Sequence, residues 1–221
     1  MRRIKNITEV EYNEKQRQIM EIAMALFAEQ GFHRTSIRDI AQAAEVNIAM
    51  VSYYFGSKDQ LLEAIFINRF GNMRAILQDV IYEKNHSAIQ KVERFIDIYI
   101  DMHVQNQVFH RLMMREASII KEGPLFEMIY DLKRTNRRLV EKAVRTGQRL
   151  GLFRKDVDVF FMSSVLIGSV NQNLSNHRYE TEHKGMTASE KENAKHKRIK
   201  ALRKHMKRMF IAYLTIDQDE S

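Results

Sequence analysis

The sequence predicts an all-α fold in which three short helices precede a larger set of long ones, and three observations support this. Apolar residues recur at i, i+3, i+4 and i+7 through most of the chain, the spacing of one helix face. Breakers are scarce: one Pro and eight Gly in 221 residues are too few for the turns of a strand-rich fold. Capping residues also fall at the ends of the periodic stretches.

The first stretch is NEKQRQIMEIAMALFAEQG, in which Ile19, Ile22, Ala23, Leu26 and Phe27 share a face and Gly31 ends the helix. Thr35 or Ser36 then offers an N-cap for a short helix carrying Ile37, Ile40, Ala41 and Ala44. A tight turn at Glu45–Val46 leads to Asn47, a second good cap, and to the helix IAMVSYYF. Ser57 opens a fourth helix through a capping box, SKDQ, with Gln60 reaching back. Further helices are expected at Ser87–Asn106, Val108–Ile120, Pro124–Leu150, Val157–Leu174 and Ser189–Thr215. Gly123-Pro124 reads as a stop followed by a first-turn proline. The polar segment Ser175–Thr187, with Arg178, Glu180, Glu182 and Lys184, reads as a mobile connection.

Composition narrows the function classes. The chain has no Cys, so disulfides and thiolate metal sites are excluded and a cytoplasmic location is expected. No apolar run follows the basic N-terminal residues, as a secretory signal would require. The longest apolar stretch, Val157–Val170, is too short and too interrupted to span a bilayer. The formal net charge of +8 invites a nucleic-acid reading, yet residues 1–60 hold eight Lys/Arg against eight Asp/Glu. Any case for DNA therefore rests on geometry. No GxSxG, P-loop, Rossmann or HExxH pattern is present, and the eight His are scattered, so neither an enzyme, a cofactor nor a metal site is expected.

Short helices two and three, separated by a tight turn, have a helix-turn-helix layout. The stretch ALFAEQGFHRTSIRDIAQAAEVNIAMVSYYFGSKDQLL closely resembles the DNA-binding signature of the TetR/AcrR family of bacterial regulators. The matching elements are Gly31-Phe32, Thr35-Ser36-Ile37, Asp39-Ile40-Ala41, Val46-Asn47, Tyr54-Phe55 and Ser57-Lys58. Beyond residue 85 only the helical layout is similar. Two departures stand out: Glu45 replaces the Gly usual in the turn, and Ser52 stands where the family often has a Tyr.

The resemblance implies a dimeric transcriptional regulator, a repressor released from operator DNA by a small apolar or amphipathic ligand. It divides the chain into residues 1–56, an arm and helix-turn-helix domain, and residues 57–221, a connecting helix with a helical effector-binding and dimerisation domain. In the recognition helix Asn47–Phe55, whose cap Asn47 is also an expected DNA contact, Val46, Val51 and Phe55 face inwards, leaving Ile48, Ala49 and Met50 at the exposed edge. These side chains read thymine methyls and groove shape, while Arg38 is placed to bond guanine. Thr35, Ser36, Ser52, Tyr53 and Lys58 complete the expected DNA-contacting set, largely through phosphate. Arg2, Arg3 and Lys5 form either a backbone-tracking arm or an untethered tail.

For the ligand, the candidates are Phe95, Tyr99, Met102, His103, Phe109, Leu112, Met113, Glu116, Met128, Phe161 and Val165. A Met and aromatic stripe of this kind is more often simple core. The last two helices, the second with a stripe of Ile199, Leu202, Met206, Met209, Phe210 and Tyr213, are expected to pair with a second copy. The rival reading is a nucleoid-associated or protein-regulated DNA-binding protein of the same fold without a small-molecule effector.

Overall fold

The computed structural model describes residues 11–119, 122–183 and 185–215, and among these every regular element is an α-helix. They are α1 (Glu14–Gln30), α2 (Ile37–Ala43), α3 (Ile48–Phe55), α4 (Lys58–Tyr82), α5 (Ala88–Gln105), α6 (Gln107–Ile119), α7 (Pro124–Arg149), α8 (Val159–His183) and α9 (Ala188–Leu214). The basic residues Arg2, Arg3 and Lys5 lie outside the described residues.

Local chemistry sets the helix starts. Asn13, Ser36 and Thr187 each form a reciprocal capping box, with Gln16, Asp39 and Glu190 respectively. Such a cap satisfies two backbone donors that the first turn leaves unpaired, worth about 1 kcal/mol. Ser57 provides only half of the box expected of it. Its hydroxyl accepts from Gln60 N–H at 3.1 Å, but its own N–H is taken by the Phe55 carbonyl.

One expectation is corrected. Ser175–Thr187 is not an irregular connection, because α8 continues through His183 and Thr187 already caps α9. Polarity by itself does not mark chain irregularity. The segment contains no Gly or Pro before Gly185, and its Arg and Glu residues favour helix.

The chain packs as two compact units. The first comprises residues 1–76 and 106–136, the second residues 77–105 and 137–221. In the first, α1 packs on α2 and α6, and α2 packs on α3. Its core centres on Phe27, Ile40, Val51, Leu61, Leu62 and Phe66, joined by Phe109 and Leu112 of α6. Phe109 meets the rings of Phe66 and Phe70 edge-on, the arrangement aromatic quadrupoles favour. The three N-terminal helices thus share one core with α4 and α6.

In the second unit α9 packs on α5 and α8. Val92, Ile96 and Ile100 of α5 meet Met162, Leu166 and Val170 of α8 and Leu202, Met206 and Phe210 of α9. Polar contacts pin the same layer. Arg203 bonds Asp97 at 2.9 Å and Asp101 at 2.6 Å, while Lys207 bonds Asp97 at 2.6 Å.

Candidate functional site

The site is built on α2, the turn after it, and α3. Ser36 caps α2, and the Asp39 carboxylate accepts from both the N–H and the hydroxyl of Ser36. Those bonds, the backbone one foremost, hold the Asp39 carboxyl below its usual range. At the turn, Glu45 adopts φ 52°, a left-handed conformation rare for residues with a Cβ. Val46 N–H then closes onto the Ala41 carbonyl at 3.0 Å. Asn47 Oδ1 accepts from Ala49 N–H at 2.9 Å and starts α3.

This geometry decides what α3 presents. Val51 and Phe55 are buried and Val46 is partly buried, so the opposite edge of α3 faces outwards. Asn47, Ile48, Ala49, Met50, Ser52 and Tyr53 are all exposed, Tyr53 at 85% of its surface. An eight-residue helix carrying Ile, Ala and Met on its outer edge offers base edges methyl contact and shape, with no hydrogen-bonding side chain among those three. Arg38 is exposed on α2 and is the cation of that helix. Tyr54 packs against the core.

Besides Ser36 and Asn47, two more of the expected contacts have internal partners. Thr35 is buried, and its hydroxyl donates to the Gly31 carbonyl at 2.9 Å. Lys58 Nζ donates to the carbonyls of Phe32 and Thr35, each at 2.9 Å, and lies 4.3 Å from the centre of the Phe32 ring. A lysine ammonium has three protons, so one remains for a phosphate. Lys58 therefore ties the start of α4 to the loop before α2.

Reading along the chain had no means of finding Arg115 of α6, which donates to the carbonyls of Glu29 and Gln30 at the end of α1, at 3.1 and 3.0 Å. It closes the negative pole of α1, where carbonyls lack intrahelical partners. Gly31 makes room for it, because a Cβ there would lie 2.5 Å from Arg115 Nη2. Arg69 of α4 likewise pairs with Glu21 of α1 and bonds Asn106.

The ligand candidates divide between the units. Phe109, Met113, Glu116 and Met128 belong to the first, together with Leu112, while Phe95, Tyr99, Met102, His103, Phe161 and Val165 belong to the second. Phe109 and Leu112 are core, with Met113 and Met128 packed against them. Glu116 is buried and its Oε1 has no hydrogen-bond partner among the described residues. In the second unit, Tyr99 and Val165 pack against the core while Phe161 is 59% exposed. His103 is buried with its ring 6.1 Å from that of Tyr99. Burial pushes the His103 imidazole down to about 4 and the Tyr99 hydroxyl upward. Among the described residues no three His, Asp or Glu side chains come together as a metal site, and no helix is long and apolar enough to cross a membrane.

Comparison with known proteins places these features. Residues 19–65 match the family described as bacterial regulatory proteins, tetR family, and residues 89–206 match the tetracyclin repressor-like C-terminal domain. The transcriptional repressor KstR2 of Mycobacterium tuberculosis is 25% identical over 150 residues, covering 66% of this chain and 73% of that protein. The fatty acid degradation regulator FadR of Bacillus halodurans has a similar fold, with a TM-score of 0.70 at 16% identity over 91% of this chain and 96% of its own. FadR of Bacillus subtilis, solved in complex with stearoyl-CoA, gives 0.69 at 17% identity, covering 89% and 98%.

Proposed function

The chain belongs to the TetR family of bacterial regulatory proteins, and from that premise we propose that it is a homodimeric, cytoplasmic repressor released from its operator by a small apolar or amphipathic ligand. That it is a DNA-binding transcriptional regulator follows from the family. The observation that carries the DNA reading is the exposed Ile48–Met50 edge of α3, backed by buried Val51 and Phe55. The working division is residues 1–56 for operator contact and residues 57–221 for effector binding and dimerisation.

Base reading falls to Arg38, Ile48, Ala49 and Met50, and phosphate contact to Ser36, Asn47, Ser52 and Tyr53 with the remaining proton of Lys58. An operator suited to this set has thymines facing α3 and a guanine facing Arg38. Dimerisation through α8 and α9 is supported by the apolar surface they leave exposed: Phe160, Phe161 and Ile167 on one, Met209 on the other. Two recognition helices then sit about 34–40 Å apart, matching successive major grooves.

The named relatives support an apolar effector, KstR2 being a ketosteroid transcriptional regulator and FadR of Bacillus subtilis having been solved with stearoyl-CoA. By linkage, an effector lowers DNA affinity by the factor that DNA lowers effector affinity. The test is a labelled operator, selected from random duplexes on the purified protein and titrated by fluorescence anisotropy. Stearoyl-CoA and a ketosteroid serve as first probes. A selected palindromic site bound by two chains, with release by one of the probes, is the expected result. Selection of no sequence at all transfers the reading to a nucleoid-associated protein, and a selected site that no apolar compound weakens transfers it to protein-based regulation.

A further inference from the structure

The second unit carries a concavity of about 750 Å³ on α7 that the operator and effector readings leave unused. Five cations line it: Arg138, Lys142, Arg145, Arg149 and Lys155. The first four recur at steps of four, three and four residues, one face of one helix. A solvated helix face ordinarily mixes both signs, since like charges one turn apart repel. The single acid at this site, Glu141, is paired with Arg137 at 3.4 Å. Among the described residues no carboxylate pairs with Arg138, Arg145, Arg149 or Lys155.

The wall is also built rather than incidental. Gln148 Nε2 uses both protons, donating to the carbonyls of Arg154 and Lys155 at 3.0 and 3.1 Å. This folds the turn after α7 back so that Lys155 joins the cations of the helix. Leu152 N–H bonds the Gly147 carbonyl at 2.9 Å, and buried Phe153 presses on Gly147 so closely that a Cβ there would lie 2.1 Å from its ring. Lys142 Nζ is steadied on Tyr82, 4.6 Å from the ring centre and 3.2 Å from the hydroxyl.

We propose that this concavity is a binding site for a small molecule carrying two or more phosphate groups. Its size falls within the range of small-ligand sites, and a concave surface of one sign concentrates the opposite charge. Arginine predominates, and its planar fork matches phosphate oxygens in pairs. The cations that line it come from one helix and the turn after it, a patch of small-ligand size, which favours a small ligand over a duplex. The site does not require the apolar effector reading, although stearoyl-CoA, whose coenzyme A carries three phosphates, belongs to the same ligand class; tripolyphosphate, with no apolar part, tests the site by itself.

Calorimetric titration of the full-length chain with inorganic tripolyphosphate at low ionic strength tests it. The expected result is saturable binding of one tripolyphosphate per chain, with orthophosphate at least about tenfold weaker. Arg145→Glu with Arg149→Glu lowers the affinity at least about tenfold, whereas Lys197→Glu with Lys200→Glu on α9, an equal change in net charge, leaves it within about twofold. Gln148→Ala weakens tripolyphosphate while retaining the apolar core and the melting profile. If the double variant fails to fold, Arg145→Gln alone replaces it. Unsaturable binding, or equal loss in the α9 control, overturns the proposal. So does a double variant that loses non-cognate duplex DNA or anionic vesicles but keeps tripolyphosphate.

Discussion

As proposed, α3 and α7 divide two tasks that nucleic-acid-binding proteins often combine on one surface. The eight residues of α3 expose Ile48, Ala49 and Met50 and carry no charge, while α7 is 26 residues long and lines a hollow with four of its cations. The region that reads DNA is electrically balanced, and the excess of the +8 chain lies elsewhere. Net charge therefore locates anion attraction, whereas shape and apolar contact locate sequence reading. A change near α3 should alter which sequence is preferred. A change near α7 should alter salt-dependent binding of anions and leave sequence preference alone.

The harshest test of that separation is Phe153→Ala. Phe153 is 1% exposed and packs on Gly147, so its removal is expected to destabilise the second unit by about 3–5 kcal/mol. Chemical denaturation followed by circular dichroism measures the loss. If the two surfaces are separate, the surviving folded fraction keeps its operator preference.

Acidification comes next in size. His103 charges freely in the unfolded chain near 6.5 but only at about 4 when folded. Below the higher value the unfolded state binds more protons, so stability falls as the pH drops from about 6.5 to 4, by up to about 3 kcal/mol in all. His103→Gln should flatten that slope in a series of melts. An unchanged slope removes His103 as the cause.

Arg38→Ala is expected to cost about 1–3 kcal/mol on the selected operator and relax preference at one base pair. Binding competition across single-base variants reads both effects. Uniform weakening on every sequence, with the preference intact, makes Arg38 a phosphate contact and narrows base reading to the apolar edge of α3.

Glu45→Gly should have the smallest effect, a gain below about 1 kcal/mol. It relieves the left-handed conformation at φ 52° but adds freedom to the unfolded chain. A melting temperature that falls shows that Glu45 is held there at no cost.

What the sequence reveals about this pair is uneven for physical reasons. Capping is written within four residues, so Asn47 marks a helix start directly and Thr35-Ser36 narrows another to two positions. The inward face of α3, implied by the family resemblance, agrees with the helical spacing of Val51 and Phe55. Polarity misleads at Ser175–His183, because a charged segment can form a helix as readily as a loop. The roles of Arg115, Lys58 and Gln148 depend on carbonyls that folding brings to them, and no residue pattern announces a carbonyl. Candidate ligand residues chosen by hydrophobicity include core side chains such as Phe109, since burial among neighbours and burial around a ligand select the same residue types.

The clasp of Arg115 on the end of α1 bears on the order in which the protein is made. All three helices of the DNA-reading segment leave the ribosome before the residue that closes the first of them. Until α6 follows, Glu29 and Gln30 keep open carbonyls, and the surface that Phe109 and Leu112 later cover stays wet. The nascent N-terminal segment is thus an incomplete folding unit with exposed apolar surface, the kind of species that chaperones hold. Expressed alone, residues 1–56 are expected to contain helix but to melt without a sharp transition, and a longer piece regains cooperativity only when it extends through α6.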